Sequence, residues 1–240
     1  MHYPLIICDY RKEMSVAGNI EKLEERIQKT CDYARRKRDE ITLMGVSKFV
    51  PVNLIDEAYR SGIRCFGESR VKEAEEKLNA FKSGHSDARF HLIGSLQRNK
   101  AKQAALFFDC IQSADRDEII VELAKHSPQR KEPLEIMLEL HTGEETKNGF
   151  QNIDALFKAA ELVLGSEKLK LTGLMTMAPF TADTALIRSS FRQLASARDD
   201  IEKRFPGNAL CLSMGMSNDF EIAIEEGSTL LRIGSAIFKD

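Results

Sequence analysis

A handful of side chains in this 240-residue chain have the type and spacing for chemistry. Lys48 ends the apolar run Ile41-Thr42-Leu43-Met44-Gly45-Val46-Ser47, with Pro51 three residues on. An amine at the mouth of an apolar pocket loses hydration, becomes easier to deprotonate and can form a Schiff base. The same lysine could equally snorkel from a strand end into solvent. Two Gly/Ser turns lie near the other end: Ser213, Gly215 and Ser217, then Gly234 and Ser235. Glycines let backbone amides approach an anion and serine hydroxyls add donors, so the pair reads as a phosphate cradle or as two ordinary turns. Arg232 stands between Leu231 and Ile233, and a buried arginine needs an acceptor: a ring nitrogen of a bound group or a core carboxylate. His91 is a candidate general base or a hydrogen-bonded mouth residue, and Glu68 could cap a helix or orient Lys48. Met175, Met177, Met214 and Met216 could line an apolar pocket or fill the core. His141, Glu144 and Glu145 share a loop, but their spacing matches no metal-ligand set.

These residues must be positioned by the elements around them. Val16, Ile20, Leu23, Ile27, Cys31 and Ala34 recur at helical spacing, which predicts an amphipathic helix from Met14 to about Lys37. Eight short apolar runs follow, at 41–46, 63–67, 90–94, 109–112, 134–140, 169–176, 209–213 and 229–233. Helical segments are expected over 52–60, 68–81, 97–107, from Asp115 or Asp117 to about His126, from Asn152 to Leu164, and over 183–205. A last one starts at Asn218, with Glu221 completing a capping box, and ends at Gly227. Strict alternation argues for parallel strands, and eight units in this length predict a single (β/α)8 TIM-like barrel over residues 1–240, with an extra N-terminal helix. An open doubly wound sheet is the alternative, but no Gly-x-Gly-x-x-Gly follows the first strand.

Composition narrows the function classes. Apolar residues make up 42% and charged residues 30%, and the formal net charge is −2, so nothing points to nucleic acid or an anionic membrane. Cys8, Cys31, Cys65, Cys110 and Cys211 are scattered without a CxxC pair, which reads as reduced thiols in a cytoplasmic protein. No signal peptide or membrane span is expected. Lys147 and the basic stretch Arg98–Lys102 could bind a second anion or form a solvated surface.

In a (β/α)8 barrel the active face lies at the C-terminal ends of the strands, with phosphate held after strands seven and eight. A lysine after strand one, a phosphate cradle after the last two strands and an arginine between them together suit an aldehyde-bearing phosphate cofactor. Pyridoxal 5′-phosphate (PLP) is the candidate. Arginine cannot accept a proton, so Arg232 would keep the pyridine nitrogen unprotonated and the ring a weak electron sink.

Several segments together carry a resemblance: Gly45-Val-Ser-Lys48, Cys65-Phe-Gly-Glu68, Phe90-His-Leu-Ile-Gly94 with Leu96-Gln97 and Asn99-Lys100, Gly173-Leu-Met175, Leu212-Ser-Met-Gly-Met-Ser217 and Leu231-Arg-Ile-Gly-Ser-Ala-Ile237. From about Met14 to Phe238 the chain resembles the pyridoxal phosphate homeostasis protein family, the single-domain relatives of the alanine racemase N-terminal barrel. The resemblance implies a fold-type III barrel that holds PLP as an aldimine of Lys48, with phosphate contacts from Ser217, Gly234 and Ser235 and Arg232 at the ring nitrogen. Ser213 joins this set of cofactor-binding candidates. It also implies a role in intracellular vitamin B6 balance without turnover, hence no catalytic residue. The chain departs from the family pattern at Ser69, Phe90 and Ser235, where asparagine, tryptophan and threonine are common.

The competing expectation is a fold-type III enzyme, an amino-acid racemase or decarboxylase. Alanine racemase takes a second base, a tyrosine, from a separate β domain, and none is expected here. Tyr3, Tyr10, Tyr33 and Tyr59 all fall in the first quarter of the chain. A Schiff-base aldolase would place its lysine on a middle strand. The expected partners are PLP itself and PLP-dependent apoenzymes as recipients, with the protein a monomer.

Overall fold

A computed structural model describes residues 15–143 and 148–239. Eight parallel strands close into a barrel in chain order: β1 Thr42–Val46, β2 Cys65–Glu68, β3 Arg89–Leu92, β4 Cys110–Ala114, β5 Leu134–Glu139, β6 Leu169–Met175, β7 Cys211–Ser213 and β8 Leu230–Ile233. Between them run α2 Val52–Arg60, α3 Val71–Gly84, α4 Ala101–Phe107, α5 Asp117–His126, α6 Ile153–Leu164, α7 Thr184–Arg204 and α8 Phe220–Glu225. The helix α1, Val16–Ala34, precedes β1, and the one-turn α9, Ser235–Phe238, follows β8. The (β/α)8 expectation holds, and the open sheet is excluded by the pairing of β1 with β8, Met44 opposite Arg232 and Gly45 opposite Ile233.

Side-chain alternation sorts the strands into two cores. One face of each strand packs against the helices, as Leu43, Phe66, Phe90 and Ile111 do. The other face fills the barrel with Met44, Cys65, Cys110, Met137, Met175 and Leu230. Methionine and cysteine are adaptable fillers for so irregular a space. The buried thiols of Cys65 and Cys110 are pushed up, Cys65 to about 12, because burial disfavours the thiolate.

α1 completes the outer ring. Its apolar stripe, Ile20, Leu23, Ile27 and Cys31, is buried against α8, α9 and α2. Each large apolar side chain so buried contributes about 2 kcal/mol. Ser15 caps the helix by accepting from Gly18 N at 3.1 Å. Because α9 is a single turn, α1 fills the place that a long helix after β8 would take. Asn19 ties the two together, donating to the carbonyls of Ile237 (3.1 Å) and Lys239 (3.3 Å).

The differences from expectation lie at element ends. Strand β2 starts at Cys65: the chain turns at Gly62 (φ +101), and Ile63 packs in the core ahead of the ladder. The helix expected from Gln97 is a 3-10 turn, Arg98–Lys100, followed by α4. Neither Asp115 nor Asp117 caps α5: Arg116 is its N-cap, and Asp115 instead takes the Arg116 guanidinium at 2.6 Å. The capping box at Asn218 is not formed either. Asp219 is the N-cap, its carboxylate accepts from Met216 N at 2.5 Å, and Glu221 is drawn away by Arg26 of α1 at 2.5 Å. Asn152 and Asp183, at the expected helix starts, cap α6 and α7 with their side chains.

Candidate functional site

Lys48 lies just past β1 and lines a cavity of about 1160 Å3 at the C-terminal mouth of the barrel. Its backbone is fixed from below. Ser47 is fully buried, donates its amide to Gly67 O at 2.9 Å, and its hydroxyl donates to Glu68 Oε1 at 2.7 Å. The Lys77 ammonium, reaching in from α3, bridges Ser47 O and Glu68 Oε1, both at 2.7 Å. Glu68 therefore does not cap a helix; buried at the end of β2, it braces the turn that carries Lys48. The next residue, Phe49, has φ +63, a left-handed conformation that costs a bulky residue about 1 kcal/mol or more. Lys48 itself is exposed at the rim, so the apolar burial expected of it is not present.

Arg232 is the charged wall of the same cavity and only 4% exposed. Its Nη1 donates to Ser213 O (2.6 Å) and Ser213 Oγ (2.7 Å), and its Nη2 to Thr176 O (2.7 Å). Burial pulls the guanidinium down to about 10, against the opposing charges of Asp219 and Glu139. Held by neutral acceptors on one side, it offers its remaining donors to the cavity. Glu139, at the end of β5, also lines the mouth. Burial and the charge of Asp115 push its carboxyl up to about 7, with Arg232 pulling the other way.

Ser217, Gly234 and Ser235 all line the cavity, as the phosphate reading required. A β-carbon on Gly234 would stand 3.4 Å from Val46 Cβ, so the turn hugs β1. The amide of Ser235, first in its helix, has no intrahelical acceptor. Ser217 Oγ accepts from Ala236 N at 3.3 Å and joins the two turns. Gly215 has φ +96, and a β-carbon there would fall 2.6 Å from Ala223 Cβ; it shapes the turn without lining the cavity.

Two expectations are corrected. Ser213 is not on the cavity wall: alternation turns it into the barrel, where it is fully buried behind Arg232 and donates to Gln112 Oε1 at 2.6 Å. His91 is no mouth residue. It sits in the barrel interior with Nδ1 2.9 Å from Gln112 Nε2, and burial depresses it to about 3, so it cannot serve as a base at the mouth. Of the four methionines, Met177 and Met216 line the cavity, while Met175 and Met214 are core. Ser69 lines it too, whereas Phe90 faces the helices and stacks on Phe66 at 5.9 Å. Tyr33 is exposed, and Tyr59 is bound to Asp87 at 2.5 Å; neither lines the mouth. Arg98 pairs with Glu122 at 3.1 Å, and Tyr3, Tyr10, Glu144, Glu145 and Lys147 lie outside the described residues.

Sequence reasoning missed Glu139, Asp219 and the rim aromatics Phe49 and Phe180, which are 71% and 88% exposed. A signal for Glu139 was present. In Leu134-Glu-Ile-Met-Leu-Glu139 the period of two puts Glu135, Met137 and Glu139 on one face, facing into the barrel. The donor set fits a phosphorylated heteroaromatic aldehyde: hydroxyl and amide donors in one corner, a buried guanidinium beside them and an amine on the neighbouring strand.

The comparisons place this geometry in a class. The profile described as the N-terminal domain of alanine racemase matches residues 19–240, so the protein is a barrel of that class. An alanine racemase structure from E. faecalis shares the fold, with a TM-score of 0.68 and 16% identity over 93% of this chain and 58% of its own. Within the class the chain belongs to the pyridoxal phosphate homeostasis protein family. The Aquifex aeolicus protein of that name is 37% identical over 228 residues, 94% of this chain and 98% of the relative. The structure of PipY from Synechococcus elongatus with PLP bound superposes with a TM-score of 0.81 and 29% identity, over 93% of this chain and 100% of its own.

Proposed function

We propose that the protein binds PLP at the C-terminal mouth for vitamin B6 homeostasis in the cytoplasm, holding it covalently through Lys48 without turnover. The observation that carries this is Arg232: a donor-only side chain, buried, held on one side by Ser213 and Thr176, and one strand from Lys48. When bound, the cofactor brings an aldehyde for an amine to condense with and a ring able to take up electrons. Lys48 supplies that amine. Arg232 donates a hydrogen bond to the ring nitrogen and, having no lone pair to accept with, keeps it unprotonated. Ser217, Gly234 and Ser235 bind the phosphate. Lys77 and Glu68 keep the Ser47–Lys48 turn in register with β2. Relatives carrying the homeostasis name and a PLP-bound neighbour support the reading. The protein acts as one barrel domain and a monomer, and PLP-dependent apoenzymes are the recipients.

The test is an absorbance spectrum of the protein incubated with PLP, followed by borohydride reduction and peptide mapping. A visible band, lost on reduction with the label on Lys48 and absent in Lys48→Ala, is expected. A protein that stays colourless overturns the proposal.

A second reading, a racemase, draws on one observation: Glu139 is a protonatable carboxyl on the mouth wall, across the barrel from Lys48, and could act as a second base. It predicts rapid loss of α-deuterium from labelled alanine, abolished in Glu139→Gln. The binding reading predicts retention of the label.

A further inference from the structure

The barrel has a second opening, at the N-terminal ends of its strands. A cavity of about 910 Å3 runs inward from a charged rim to His91. Three rim cations are neutralised in place, Arg38 by Glu24, Arg64 by Asp87 and Arg89 by Glu135, each at 2.7 Å. Lys170, also on the rim, has no ion-pair partner among the described residues, so the rim carries an excess positive charge.

His91 is 4% exposed, and its Nε2 is a buried polar side-chain atom with no hydrogen-bond partner. The proton on that nitrogen follows from the mouth. Arg232 has donors only, so Ser213 Oγ must accept from it. Ser213 then spends its own proton on Gln112 Oε1 at 2.6 Å. That turns the Gln112 amide NH2 toward His91 Nδ1, at 2.9 Å. Nδ1 is thus the acceptor and Nε2 carries the hydrogen. The two ring nitrogens diverge, so Nε2–H faces away from Gln112, and the ring that carries it lines the lower cavity. Burial keeps the ring neutral, and the donor is uncharged. An unmatched N–H at this depth is costly, and an acceptor would recover that cost.

We propose that the lower cavity is a second ligand site, taking a small carboxylate whose oxygen accepts from His91 Nε2–H, and that its occupancy is felt at Arg232 through Gln112 and Ser213. The unpaired Lys170 favours an anion over a neutral acceptor. Every link of the chain points the same way, from Arg232 to the ligand. An oxygen that strengthens the last bond therefore polarises the others and draws on the guanidinium beside the cofactor mouth. Linkage makes the effect reciprocal: PLP at the mouth changes carboxylate affinity below by the same factor.

The experiment is NMR of protein labelled with 15N-histidine, with and without PLP, titrated with sodium acetate or with sodium chloride at equal ionic strength. One Nε2–H resonance, assigned by its loss in His91→Gln, should shift with acetate to saturation and not with chloride. Lys170→Ala should weaken the effect several-fold. In PLP-loaded protein the visible band should move with acetate, and Ser213→Ala should abolish that movement while the His91 shift persists. A resonance that responds identically to both salts, or drifts without saturating, overturns the site. A visible band blind to acetate overturns the coupling. The PLP-free arm stands whether or not the cofactor reading does. If His91→Gln does not fold, Cys211 supplies the readout, being exposed and on the cavity wall. Acetate should slow its alkylation, mapped by mass spectrometry, and equal rates in both salts count against the site.

Discussion

One ammonium joins the two sides of the turn that carries Lys48. Lys77 meets both the carbonyl before Lys48 and the Glu68 carboxylate, so Lys77→Met leaves a 1%-exposed Glu68 with a single partner, Ser47. Stripping a buried charge of its partner is costly, and a loss of about 3 kcal/mol is expected in denaturant unfolding, with slower appearance of the borohydride-trappable Lys48 adduct. Lys77→Arg should restore most of both. Glu139 gives a pH prediction. Its carboxyl is raised in the folded state to about 7, from 4.5, so the folded protein holds a proton that the unfolded chain has released. Its contribution to stability is complete below the unfolded value and is lost as pH rises through about 7. Glu139→Gln should therefore raise the melting temperature of the PLP-free protein at pH 8 and change it little at pH 4. Thermal scans of both proteins across that range check it. Lys48 and Arg232 were legible in the sequence because a charge stands out inside an apolar run. Lys77 was not: one lysine among many on a charged helix carries no mark of the two oxygens it reaches. Ser213 and Ser217 look alike in sequence, but Ser213 ends β7 and is buried behind Arg232, while Ser217 lies in the turn that follows and lines the mouth.

At the scale of elements, the close approach of β3 to the turn after β2 sets the near wall of the mouth. A β-carbon on Gly94 would stand 2.3 Å from Ser69 O, and backbone cannot yield as a flexible side chain does. Gly94→Ala should cost about 1–3 kcal/mol in unfolding and push Ser69 off the cavity wall, lowering PLP affinity with it. All eight strands were visible as apolar runs, since parallel barrel strands are covered on both faces. Their ends were harder, because long-range partners decide them. Arg26 on α1 takes the glutamate that a local capping box would have used, and Arg116 takes Asp115. The split before α4 follows the same pattern, with Arg98 turned outward to Glu122 of α5.

Across the whole molecule, α1 acts on the proposed phosphate corner from outside. Asn19 holds the carbonyls of Ile237 and Lys239, the far end of the turn whose near end is Gly234 and Ser235. Asn19→Ala should loosen that turn and weaken PLP binding about five-fold, the worth of roughly 1 kcal/mol, while leaving pyridoxal, which lacks the phosphate, unaffected. Titration of the visible band with each aldehyde checks this. The packing of α1 into the helical ring was not legible. Periodicity showed that it has an apolar stripe, and only the shortness of α9 shows what the stripe covers.

The closure of β1 onto β8 sets a timetable. Lys48 follows the first strand of the barrel to be made, but the strand beside its own, with Arg232 and the Gly234–Ser235 turn, is the last of the eight. Contacts this remote in sequence form late in folding as well. A nascent chain stalled short of Leu230 thus carries the amine without the groups proposed to retain the cofactor. The finished chain gains a clasp: a ligand held by its first and last strands resists the opening of that one seam and protects it in proportion to its free concentration. On the proposed binding mode, cofactor retention is in this sense a receipt for barrel closure, issued only once the first and last strands have met.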